Sequence, residues 1–266
     1  MGKTFAYNNG QNVLKKGGFV MSKYYIASCV FTWHYPQLSQ RAQAYAEKKG
    51  LTVVRCCVPK YKLEHFTGHM PSEYQDTWAA LPDSGDFAAG DTVYTLCHNC
   101  SAIIEETKPG VTIKSLWELM DEDPDFSYPD FTGHTMILQD CWRAFDRTAE
   151  QDAVRSLLKK MKITVTEQEE RREKTDFCGV STLRPAPPRN LKLAPQRFVH
   201  NANVQGKFED CTPEEQKRRM TEYCQRFNGK EVVSYCHYCM EGLLLGGARA
   251  KHLAELVFNQ FETYQK

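Results

Sequence analysis

Short apolar runs alternate with stretches of helical period along this chain, and the alternation occurs twice. Tyr24-Tyr25-Ile26-Ala27-Ser28 reads as a buried strand ending at Cys29. After Pro36, the residues Leu38, Ala42, Tyr45 and Ala46 recur at helical spacing, and Gly50 suits the position just past a helix end. Residues 51–55 form a second apolar run that delivers Cys56-Cys57, the spacing predicts a helix over 72–81, and residues 93–96 make a third strand ending at Cys97. Residues 104–132, with Pro109-Gly110, the acidic stretch 121–125 and Pro129, read as the join between two halves. The order then repeats. Residues 135–138 read as a strand running toward Cys141. Thr148 with Gln151 resembles a capping box, ahead of a stripe of Ala153, Val154, Leu157, Leu158 and Met161. Residues 163–165 are a short strand. A charged helix is expected over 212–227 and a long final helix over about 240–264.

Strand, helix and strand in alternation predict parallel βαβ units. The expected fold class is therefore α/β, with two pseudo-symmetric halves, each a small parallel sheet with flanking helices. The halves fall at 23–130 and 131–266. Residues 1–22 show no periodicity and read as a flexible tail, with Met21 as a candidate start. Pro185, Pro187, Pro188 and Pro195, interspersed with Arg184, Arg189, Lys192 and Arg197, mark 183–203 as a proline-rich, basic insertion in the second half.

Composition changes this picture in one respect. A hydrophobic share of 41% and a charged share of 25% are ordinary for a globular chain of 266 residues. A net charge of +1 gives no reason to expect nucleic acid as a partner. No stretch approaches the ~20 apolar residues that span a bilayer. The apolar run after Lys23 lacks a small-residue cleavage site and reads as a strand rather than a signal segment. The outlier is eleven cysteines. In a chain of this length without a signal segment they point to a cytoplasmic protein with reduced, metal-ligating thiols rather than a disulfide scaffold.

Their pattern carries the chemistry. Cys97-His98-Asn99-Cys100 and Cys236-His237-Tyr238-Cys239 are two Cys-His-x-Cys turns, each after a strand and each before a helix. Two thiolates at i and i+3 on one turn can grip one metal or cluster. Upstream of the first turn stand Cys29 and the pair Cys56-Cys57; upstream of the second stand Cys141 and Cys178. The same order in both halves predicts two metal sites. In parallel sheets such sites gather at the carboxyl ends of strands. Cys211 and Cys224 have no counterpart in the first half and read as structural thiols. His98 and His237 are expected beside cluster sulfurs rather than on the metal, His34 as a packing residue, and the basic segment 184–197 as a solvated loop.

This arrangement resembles the cysteine-rich CCG-domain family of the heterodisulfide reductase B subunit, over nearly all of residues 23–260. The resemblance implies a noncubane [4Fe-4S] cluster held by Cys29, Cys56, Cys57, Cys97 and Cys100. It departs in three places: Val58 stands where the family has a glycine after the pair, Phe177 stands in place of the second half's first paired cysteine, and the second half carries the proline-rich insertion before its CxxC. The second site thereby keeps four thiolates, Cys141, Cys178, Cys236 and Cys239, which suit a second [4Fe-4S] cluster or zinc. The function implied is that of an iron–sulfur oxidoreductase subunit acting on a thiol or disulfide. Its expected partners are other redox subunits, flavin or iron–sulfur proteins, that donate or accept electrons. The alternatives are an electron-transfer or docking subunit without its own substrate, and a zinc-stabilised scaffold.

Overall fold

The computed structural model describes residues 21–60, 62–84, 87–185, 193–197 and 208–264. Residues 1–20 of the expected tail and most of the proline-rich segment lie outside the described residues. The first half is a sheet of four parallel strands, β1 (Lys23–Ile26), β2 (Thr52–Val54), β3 (Thr92–Thr95) and β4 (Thr112–Ser115), in the order β2-β1-β3-β4. The second half repeats it with β5 (Thr135–Gln139), β6 (Thr164–Thr166), β9 (Glu231–Ser234) and β10 (Arg249–His252), in the order β10-β9-β5-β6. Between them β7 (Leu183–Arg184) and β8 (Glu209–Asp210) form a two-stranded ribbon. The α/β class and the repeated halves are as the sequence pattern implies.

Register decides where the cysteines land. Ile26 pairs with both Val54 and Thr95, so the chain leaves all three strands at one level and delivers Cys29, Cys56-Cys57 and Cys97 to one edge. In the second sheet Gln139 pairs with Ser234, which brings Cys141 and Cys236 to the equivalent edge. The strand interiors (Tyr25, Ile26, Val93, Leu138, Val232, Val233) are buried, as parallel strands covered on both faces must be. One apolar cluster runs through both halves.

Three expectations are corrected. Residues 104–132 are not a plain join: they contain the end of helix His98–Thr107, then β4 and helix Leu116–Asp121. Ser115 accepts from the Glu118 backbone N–H while Glu118 accepts from that of Ser115, a capping box that starts this helix. The final helix is likewise interrupted. It ends at Leu245, Gly247 turns the chain with φ +81°, and β10 and helix Leu253–Val257 follow. There His252 and Glu255 make the equivalent capping box. Strand β4 with its helix and β10 with its helix are therefore the same unit, used once in each half. Thirdly, Thr148 and Gln151 form no capping box. Arg147 is the N-cap residue of helix Thr148–Lys160, and Gln151 instead donates to the Ala144 carbonyl at 2.6 Å.

The halves are tied by buried contacts. Helices Leu116–Asp121 and Thr148–Lys160 pack on each other. The His252 ring lies among Phe31, Tyr35 and Trp117, with centroids 5.1, 5.5 and 6.1 Å away. The carboxylate of Glu262 accepts from the Gln37 and Leu38 N–H groups at 3.2 and 3.0 Å, capping helix Pro36–Lys48 from the far end of the chain. Among the described residues, no helix is long and apolar enough to cross a membrane.

Candidate metal centres

At the edge of the second sheet, Cys141 follows β5, Cys178 precedes the 3-10 turn Gly179–Ser181, and Cys236 and Cys239 flank the start of helix His237–Leu245. All four are buried, and their sulfurs lie within 4.8 Å of one another. The Cys141–Cys178 sulfur separation of 3.5 Å is far beyond the roughly 2.05 Å of a disulfide. A tetrahedral ion with bonds of about 2.3 Å sets its sulfurs about 3.8 Å apart, so the four thiols are spaced such that they could hold a metal ion. The surroundings hold this shell in place. Ser181 Oγ donates to Cys178 Sγ at 2.9 Å, and the Phe177 carbonyl accepts from Trp142 N at 2.9 Å and from Cys239 Sγ at 3.9 Å. Burial sets the four against ionising together. It pushes Cys141 and Cys239 well up, while contacts among the thiols and with His98 outweigh it and hold Cys236 well below the usual thiol range. A bound cation would remove that conflict.

In the first half the five predicted cysteines do not converge in this way. They surround a cavity of about 180 Å³ whose wall is Cys29, Cys56, Cys57, Cys97 and Cys100 with Val30, Asn99, Ile103 and Tyr238. Cys56 hydrogen-bonds Cys29 and raises its pKa; Cys57 does the same to Cys100. Cys100 in turn lowers Cys97 to about 7. Protein cores are otherwise packed without voids of this size. Five thiols lining one such space from three strand ends offer more donors than one tetrahedral ion needs. The resemblance-implied cluster therefore fits the residues present. Backbone strain collects here too: Ser28, directly before Cys29, has φ +60°, and Lys60 and Lys62 have φ +55° and +45°.

Two glycines explain the difference between the sites. A Cβ on Gly179, whose φ is +51°, would lie 2.0 Å from the Tyr238 carbonyl oxygen. One on Gly242 would lie 2.5 Å from the Gly179 Cα. With no side chain at either position, the Cys178 loop closes directly onto the helix that carries Cys236 and Cys239. Counting from the matched CxxC turns and the matched Cys57 and Cys178, the first half has Ile103 and Val58 at these positions. Both side chains pack in one cluster with Ala102 and Ala194, and Ile103 also lines the cavity. The glycine expected after the first pair is thus absent where the loop stays open, and present where it closes.

The remaining residues fall as follows. Phe177 is buried and stacks on Tyr223, centroids 4.0 Å apart. His34 is a packing residue, stacked between Trp33 and Tyr264 at 4.7 and 4.3 Å. His98 serves the other half: its Nε2 is 3.2 Å from Glu150 Oε1, and burial is outweighed by Glu150 and Cys236, which raise it to about 10. His237 is buried, its Nε2 has no hydrogen-bond partner, and burial lowers it to about 3. Arg197 is no solvated residue. It is buried and paired with Asp146 at 3.0 and 2.9 Å. Cys211 and Cys224 lie away from both sites; Cys224 donates weakly to the Leu243 carbonyl at 3.6 Å. Sequence reasoning missed Glu150, Ser181, Tyr238 and the Gly179–Gly242 contact. Only the glycine of Cys178-Gly179 carried a local signal.

The fold and sites define a class: an α/β protein of two parallel sheets, with a four-cysteine site in the second half able to hold a metal ion. No protein-family model matches the chain, and no characterised protein matches it.

Proposed function

We propose that this protein is an iron–sulfur redox protein similar to the heterodisulfide reductase B subunit. Its first half holds a noncubane [4Fe-4S] cluster on Cys29, Cys56, Cys57, Cys97 and Cys100, and its second half holds a zinc ion on Cys141, Cys178, Cys236 and Cys239. The observation that carries the reading is the contrast between five thiols around one cavity and four within 4.8 Å of one another. A cubane cluster binds each thiolate through a different iron and keeps the sulfurs further apart than a single ion does, which favours zinc at the second site.

The cluster supplies electron storage next to a thiol or disulfide. The chain's own residues supply the way in. Lys62 and His65 line the cavity and also an adjoining surface hollow of about 660 Å³, together with Arg55 and Lys60. A disulfide entering there takes two electrons, delivered through a partner redox subunit, and two protons, and leaves as two thiols. This hollow favours an enzyme subunit over a relay without a substrate of its own. The free cysteines accord with a reducing compartment, and we assign the protein to the cytoplasm on that ground.

Anaerobic purification with iron, sulfide and zinc analysis tests the reading. The expected result is four irons and four sulfides with one zinc per chain, and a brown protein with a paramagnetic signal that thiol or disulfide perturbs. A colourless protein containing only zinc would establish the scaffold reading instead.

A further inference from the structure

Each CxxC turn sends a side chain to the opposite site. Tyr238 lies between Cys236 and Cys239, yet it lines the first-half cavity. His98 lies between Cys97 and Cys100, yet it packs against residues of the second half. Its Nε2 is anchored on Glu150, itself buried, and its ring meets Tyr235 edge-on with centroids 5.7 Å apart. Both residues are buried, so neither can swing clear without opening the core between the sheets. The second turn has two ligands at its ends, and the residues between them follow wherever those two sulfurs are fixed.

We propose that Tyr238 and His98 are positioning residues that couple the two sites, so that metal at the second site fixes the wall of the first-half cavity and prepares it for its cluster. This rests on the reading of both cysteine sets as metal sites. The second set, already drawn together, takes its ion first. Fixing Cys236 and Cys239 then sets Tyr238 against the cavity, while Tyr235, next to Cys236, packs on His98 and with it holds the turn bearing Cys97 and Cys100. Coupling of this kind is reciprocal, and typical couplings change affinity about 5–150-fold.

The test uses the metal-free, reduced full-length protein, with and without one equivalent of Zn²⁺. Cys29 and Cys57 are the partly exposed members of the first set, and their alkylation by iodoacetamide is followed by peptide mass mapping. Zinc is expected to slow both reactions about fivefold or more, and Cys236→Ser is expected to abolish this protection. In Tyr238→Leu and in His98→Leu the protection falls below about twofold although one zinc still binds, whereas Tyr238→Phe keeps the ring and the protection. Wild-type protein that binds one zinc while Cys29 and Cys57 react at the metal-free rate overturns the proposal, as does full protection in Tyr238→Leu. Failure to bind one zinc overturns it together with the second-site reading. Protection by zinc in a protein that cannot then be reconstituted with iron and sulfide leaves the coupling standing and removes the cluster assignment.

Discussion

The two halves have the same strand order, the same CxxC turn after the third strand and the same capped helix after the fourth, and yet one site is closed and the other open. The difference does not come from the strands, whose ends bring cysteines to equivalent edges. It comes from two positions, Gly179 and Gly242 on one side, Val58 and Ile103 on the other. A duplicated scaffold can therefore draw one cysteine set together and leave the other around a cavity by changing how closely one loop approaches one helix. The strain is divided accordingly. Non-glycine residues with left-handed backbone stand beside the open site at Ser28, Lys60 and Lys62, while the closed site meets its one left-handed position with Gly179.

The largest expected effect on this contrast is loss of the second ion. Structural zinc contributes about 10–16 kcal/mol of apparent binding free energy in small domains. Chelation of this site should lower the melting temperature by more than about 10 °C and open helix His237–Leu245 to protease. Equal melting curves for stripped and loaded protein would mean that the second half needs no metal.

Gly179→Ala comes next. The added methyl meets backbone at 2.0 Å in a left-handed residue. Strain of about 1–2 kcal/mol and overpacking of about 1–3 kcal/mol should add to roughly 3 kcal/mol of destabilisation, with zinc affinity lost by a factor of about ten or more. Denaturant unfolding and zinc titration check both numbers, and a variant with unchanged zinc affinity would show that the close approach is not what shapes the site.

Phe177→Cys restores the cysteine pair in the second half, where four buried thiols already lie within 4.8 Å of one another. The ring it replaces is stacked on Tyr223, and that contact is lost. The expected outcome is about 2–4 kcal/mol of lost packing with one zinc still bound. Iron and sulfide appearing at this site in the variant would show that thiol number, and not loop closure, sets the metal.

Cys57→Ser should act on the first half alone: the cluster's absorbance and paramagnetic signal change while the zinc content stays at one, with stability altered by less than about 1 kcal/mol. The smallest effect is expected from Val58→Gly. It removes a partly buried side chain at about 1–2 kcal/mol but leaves Ile103 in place, so the cavity should persist and five thiols should still hold the cluster. Closure of the first site by this one change would mean that Ile103 contributes nothing to holding the loop away.

Much of this protein is legible in its sequence. Apolar runs of strand length alternating with helical stripes implied the α/β class and the two halves, because burial on both faces of a parallel sheet leaves a continuous apolar mark. The cysteine spacing groups nine thiols into two sets, and the structure brings four of them within 4.8 Å of one another. What failed did so for local reasons. In residues 104–132 Pro109-Gly110 and the acidic run give the pattern of a join and mask Ser115-x-x-Glu118, the capping box of a helix. The apolar run of the final helix concealed the Gly246-Gly247 break.

The sequence by itself determined which residues can bind metal and at which strand ends they lie, since thiol chemistry and strand periodicity are local properties. Tertiary packing alone brings four thiols within 4.8 Å of one another while five line a cavity, and sets His98 and Tyr238 each against the other half. Those outcomes depend on how near a loop comes to a helix and on which half a side chain enters, distances between segments far apart in the chain. No local pattern of residues encodes them.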